Sequence, residues 1–155
     1  MAVEIIGVSQ ERRDAGYKLL LKTDELGLNA SGAGWYQSIG STRWKFFLVT
    51  PLIDSQGPDW VYHRLLSGLR VISFPEGITP LEIHLVSPRE ARFHDLQQVL
   101  DVPDLAAKNL YHVSNEEVQQ HGISAMVIYR MRSLDRKAGE RARIFDARVK
   151  ELLAA

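Results

Sequence analysis

Two segments of this chain end alike, and that echo restricts the fold more than any other feature. Phe47-Leu48-Val49-Thr50-Pro51 and His84-Leu85-Val86-Ser87-Pro88 each run through apolar residues and stop at a hydroxyl residue and a proline. Between them, Pro58–Ile72 opens with proline at the first helical position and places Val61, Leu65, Leu69 and Ile72 at helical spacing. A helix between two strands lets those strands lie parallel in one sheet. Ser87, Pro88 and Glu90 then form a capping-box start for a further helix to about Leu100. Arg43 through Leu100 therefore reads as a βαβα stretch.

The remaining elements extend that sheet. Ser9 to Leu28 reads as a helix capped by Ser9, although Gly16 weakens it. Asn29–Gly34, with its small residues, reads as a loop. Trp35–Ile39 and Arg43–Thr50 read as a hairpin, and Leu81–Val86 as a strand. Two more strands are expected at Leu110–Val113 and Ser124–Arg132, around a short helix opened by Ser114-Asn115-Glu116-Glu117. Leu134 to Leu153 reads as a terminal helix. The order predicts an α+β fold: one mixed sheet of about five strands, helices mainly on one face, and a C-terminal helix. Polar Lys45, Glu82 and His84 predict that the second sheet face is not fully covered.

A length of 155 residues fits a single globular domain, and no Pro/Gly/Ser linker divides the chain. No apolar run reaches the roughly 18 residues that suggest a membrane span. The first residues carry Glu4 and no basic start, unlike a secretory signal. There is no cysteine, so thiol nucleophiles, thiolate metal sites and disulfides are excluded, and a cytoplasmic setting is expected. Net charge is zero but uneven: residues 130–150 hold eight basic groups against three acidic ones.

No motif marks a catalytic centre. Gly-x-Ser-x-Gly, HExxH, P-loop and dinucleotide fingerprints are absent. Glu82-Ile83-His84 with Asp54 upstream loosely resembles the carboxylate–x–base pattern of magnesium-dependent nucleases. It lacks the second carboxylate and the lysine, so both residues read as ordinary polar-face groups. No metal or cofactor is expected.

Three surfaces are candidates for binding. If the echoed strands are parallel neighbours, Thr50 and Ser87 emerge side by side with Asp54, Arg89 and Arg92 nearby. Such a strand end can hold a phosphate or carboxylate, or Ser87 can simply cap its helix. The hairpin aromatics Trp35, Tyr36, Trp44 and Phe47, joined by Tyr129, are either core or an apolar docking face. The segment 134–155 forms an amphipathic basic helix. Its stripe of Leu134, Ala138, Ala142, Phe145, Val149 and Leu152 suits docking or pairing with a second copy. Arg136, Arg141, Arg143 and Arg148 on that helix give a nucleic-acid alternative.

The leading expectation is a small cytosolic binding or regulatory protein that works through protein contacts as a homodimer. The alternatives are an anion- or phosphate-ester-binding protein or enzyme at the strand end, and a nucleic-acid binder through the tail. No membrane partner is expected.

Overall fold

The computed structural model describes residues 8–100, 102, 111–114, 116–132 and 138–154, with backbone alone at 111, 117 and 138–141. The elements run α1 (Gln10–Glu25), β1 (Gly32–Ser38), β2 (Trp44–Val49), α2 (Leu52–Gln56), α3 (Pro58–Val71) and a 3-10 turn (Pro80–Glu82). They continue with β3 (Ile83–Val86), α4 (Ala91–Val99), β4 (Tyr111–Val113), α5 (Glu116–Gln119), β5 (Ile123–Met131) and α6 (Ala138–Ala154). The five strands form one mixed sheet in the order β3-β2-β1-β5-β4. Among the described residues only β2 and β3 pair in parallel, with Phe46 opposite Ile83 and Val49 opposite Val86. The echoed segments are thus neighbours, and the α+β architecture follows the order read from the sequence with one short helix added, α2 between β2 and α3.

The longer helices α1, α3 and α6 cover one sheet face. Their Leu19, Leu65, Leu69, Phe145 and Val149 pack with Trp35, Phe46, Leu48, Val127 and Tyr129 of the sheet. Gly16 is buried in α1 because the sheet comes that close. A Cβ there would lie 2.6 Å from the Tyr129 hydroxyl and 2.7 Å from Trp35 Nε1. These two groups hydrogen-bond each other, with the indole N–H donating at 3.3 Å. Gly68 likewise lets α3 approach Leu26, whose side chain would meet a Cβ at 2.9 Å.

The second face is also covered. Phe93 and Leu96 of α4 and Val118 of α5 pack on Tyr36, Phe47, Val49, Val86, Met126 and Ile128. Lys45 and His84 lie on this face with Phe47 and Val49, but at its less covered end: Lys45 is exposed and His84 half-buried. At the sheet edge, the Tyr62 hydroxyl donates to the Ile83 carbonyl (2.8 Å) and accepts from the Leu85 N–H (3.0 Å). Backbone groups that an edge strand leaves open are thereby satisfied.

Three local expectations change. Helix α4 starts at Ala91, not Ser87, because residues 87–90 close a turn in which Glu90 N–H donates to the Ser87 carbonyl at 3.1 Å. Strand β3 starts at Ile83, and Leu81 and Glu82 lie in the 3-10 turn. Glu82 Oε1 closes that turn by accepting from Thr79 N–H (3.0 Å) and hydroxyl (3.3 Å). Glu82 therefore leaves the polar row that Lys45 and His84 keep. Third, the expected loop at Asn29–Gly34 ends early, since Gly32, Ala33 and Gly34 belong to β1. The tail start at Leu134 and residues 103–110, including Leu110 of the expected strand, lie outside the described residues. Among the described residues, no helix is long and apolar enough to cross a membrane.

Candidate functional site

The strand-end edge is assembled but closed. Thr50 N–H donates to the Val86 carbonyl at 2.9 Å, so Thr50 and Ser87 do emerge together. Thr50 is buried, and its hydroxyl oxygen accepts from Leu52 N–H at 3.2 Å. The Ser87 hydroxyl lies 2.7 and 2.8 Å from the two oxygens of Asp54, and its oxygen accepts from Arg89 N–H at 3.0 Å. An anion arriving here would meet the Asp54 carboxylate. Arg89 is exposed. Arg92 turns away to Glu90 (2.6 Å) and lies over the rings of Tyr36 and Phe93 at 5.9 and 5.6 Å. The structure brings Thr50, Asp54 and Ser87 together, with the Arg89 backbone N–H joined to them and its side chain exposed, while Arg92 is drawn to Glu90.

The aromatic candidates are core. Trp35, Phe47 and Tyr129 are fully buried, Tyr36 nearly so, and Trp44 is half-buried. Ring contacts fill both faces: Trp35–Phe46 edge-on at 5.3 Å on the first, and Phe47–Phe93 tilted at 5.1 Å on the second. The docking face expected from Trp35, Tyr36, Phe47 and Tyr129 is therefore corrected: helices of the same chain cover it.

Much of the tail is engaged as well. Ala142, Phe145 and Val149 are buried against the body. Asp146 accepts from Arg64 (2.7 Å) and Lys150 (3.0 Å), and these bonds hold its carboxyl below the usual range. Arg148 Nε donates to the Glu25 carbonyl at 3.2 Å, at the end of α1. Arg143 is exposed, the Arg141 side chain is not described, and Arg136 lies outside the described residues.

An open cleft of about 580 Å³ lies instead where β2 begins. Val8, Ser9 and Arg12 of the α1 start form one side, Thr42–Lys45 of the hairpin turn another, and Leu81 with Glu82 the third. Its volume falls within the range of small-molecule sites. Arg12 is already committed: its guanidinium lies 4.5 Å over the Trp35 ring and pairs with Glu82. Glu82 is saturated in turn, because its other oxygen takes both Thr79 donors. Arg43 and Lys45 are exposed, and neither side chain has a hydrogen bond or ion pair among the described residues. Among the described residues the cleft lining holds three cations and one carboxylate, Glu82; Trp44 leaves β2 towards the first face and Lys45 towards the second.

Next to Lys45 on the second face sits a titratable group of Tyr36, His84, Glu90 and Arg92. Burial, then the Lys45 ammonium, holds the His84 imidazole below its ordinary value of 6.5. Burial raises the Tyr36 phenol, against the opposing pull of Arg92. His84 and Tyr36 rings stand 6.1 Å apart. His84 is thus a neutral imidazole near neutral pH, facing Lys45 and Arg92.

Sequence reasoning noted Trp44 and Lys45 but passed over Arg12 and Arg43. One signal was there to be used: between Glu25 and Asp54 the only charged residues are Arg43 and Lys45. Among the described residues, no group of three or more His, Asp or Glu side chains is placed to hold a metal ion. No protein family, curated protein or solved structure matches the chain.

Proposed function

We propose that this protein binds a small anion in the cleft between the α1 start, the hairpin turn and Leu81. One observation carries the reading: Arg43 and Lys45 border a ligand-sized cleft with no acidic partner among the described residues. Surface cations are commonly paired or point into open water. Two that line a concave site whose wall includes a half-buried tryptophan give an anion positive potential and a surface to rest on. The anion-binding alternative read from the sequence thus moves from the closed Asp54–Ser87 edge to the far end of β2. The cytosolic setting stays part of the proposal.

Calorimetric titration with inorganic phosphate and pyrophosphate tests it. Saturable binding is expected, tighter for pyrophosphate, weakened by salt, and lost in the R43A/K45A double variant. Absence of binding, or full binding by the double variant, would end the proposal. The protein-contact reading competes with it. In a homodimer the buried Trp35, Tyr36, Phe47 and Tyr129, and Ala142, Phe145 and Val149 of α6, would not form the contact, and sedimentation at rising concentration tests for a dimer through another surface.

A further inference from the structure

We infer that the ligand of this cleft is an organic anion with a flat aromatic body, such as an aromatic carboxylate. The inference rests on the anion-binding reading above and adds the class of ligand. Its observation is the apolar part of the wall. Leu81 on the rim is 97% exposed, and half-buried Trp44 lines the same cleft next to Arg43, which has no ion pair among the described residues. A bare phosphate would use Arg43 and Lys45 and leave Leu81 and Trp44 in water. A ligand with an apolar body covers both, and burial of that surface adds to affinity.

Planarity follows from the kind of wall. An indole and a guanidinium both offer flat faces to a ring, through offset stacking and cation–π attraction. The chain already stacks a guanidinium on an indole twice, Arg12 over Trp35 at 4.5 Å and Arg64 over Trp60 at 3.9 Å. An alkyl chain gains only contact area from such a wall. A cationic ligand is disfavoured, because the one carboxylate among the described lining residues, Glu82, already accepts from Arg12 and Thr79.

Three probes of equal charge sign separate the possibilities: 1-naphthoate, octanoate and inorganic phosphate, each titrated by calorimetry against the intact chain. 1-Naphthoate is expected to bind about tenfold more tightly than either other probe, the size of effect a single stacked contact supplies. The L81S variant should weaken 1-naphthoate several-fold and leave phosphate unchanged. Leu81 is almost wholly in solvent, so this variant keeps the fold. W44A should act more strongly in the same direction, and R43A/K45A should weaken all three probes. If octanoate or phosphate matches 1-naphthoate while R43A/K45A still abolishes binding, the aromatic class is wrong and the cleft reading survives. If no probe binds, both fail together.

Discussion

Replacing Asp24 by asparagine should be among the most damaging polar substitutions in this chain. A bulge in β5 explains why. Ala33 pairs with Arg130 and Gly34 with Ile128, so Tyr129 is the extra residue and shares the first face with Arg130. That places a guanidinium, only 4% exposed, beneath α1. Asp24 meets it with both oxygens, at 2.9 and 2.6 Å, and the Ala30 carbonyl accepts at 3.1 Å. Asparagine keeps the shape, removes the charge and turns an acceptor into a donor facing a donor. Breaking a buried pair from one side costs about 3–5 kcal/mol. The Asp24 side chain is 23% exposed, so water relieves part of that cost. A loss of about 3 kcal/mol, with a urea slope of about 2 kcal/mol per molar, lowers the unfolding midpoint by roughly 1.5 M. The D24N/R130M double variant removes both charges and should recover more than half of the loss. Equilibrium urea unfolding followed by tryptophan fluorescence measures all three. A D24N midpoint at the wild-type value, or a double variant less stable than D24N, would refute the reasoning.

Other perturbations test other parts of the account. Gly34→Ala sets a Cβ 2.3 Å from the Val127 carbonyl oxygen and 3.0 Å from Ile128 Cα. Because both are strand backbone, about 3 kcal/mol and roughly 6–12 °C of melting temperature should be lost; an unchanged melt would contradict the β1–β5 register. Phe145→Ala empties a fully buried ring site under α6 and should cost about 3–5 kcal/mol, whereas an undocked tail would make it silent in calorimetry. His84 should make stability depend on pH in one direction. Its folded pKa lies below 6.5, so the unfolded chain takes up the proton first. The contribution is fully present above pH 6.5 and declines as pH falls towards and through the folded value. His84→Gln should flatten part of that decline in urea midpoints, and an unaltered slope would remove His84 as its source.

How much of this was legible beforehand depends on which forces are local. Alternation in Trp44–Val49, the Pro58 start of α3 and the strand-end echo all act within a few residues, and each placed its element within a residue or two. Ser87 misled because its hydroxyl serves two competing roles. A cap for α4 was the local choice, but Asp54, 33 positions away, holds the side chain in a turn instead. Gly32-Ala33-Gly34 looked like a loop by composition, yet Val127, Ile128 and the Phe47 ring press on Gly34, and Met131 and Val49 on Gly32. The exposed-aromatic reading failed for a related reason. Alternation tells that Trp35 and Tyr36 point oppositely, but not that helices cover both faces. The bulge at Tyr129, which brings Arg130 to Asp24, has no signature within its own strand. The cleft joins residues 8–12, 42–45 and 81–82, and only the fold brings those three together.

The claim that the cleft, and not the strand end, receives the anion is tested most directly by backbone-amide NMR during titration with pyrophosphate. Shift changes are expected at Ser9 and Arg12, through Thr42–Lys45 and at Leu81, saturating together. Changes centred on Thr50–Asp54 and Ser87–Arg89, or none at saturating ligand, would contradict the account.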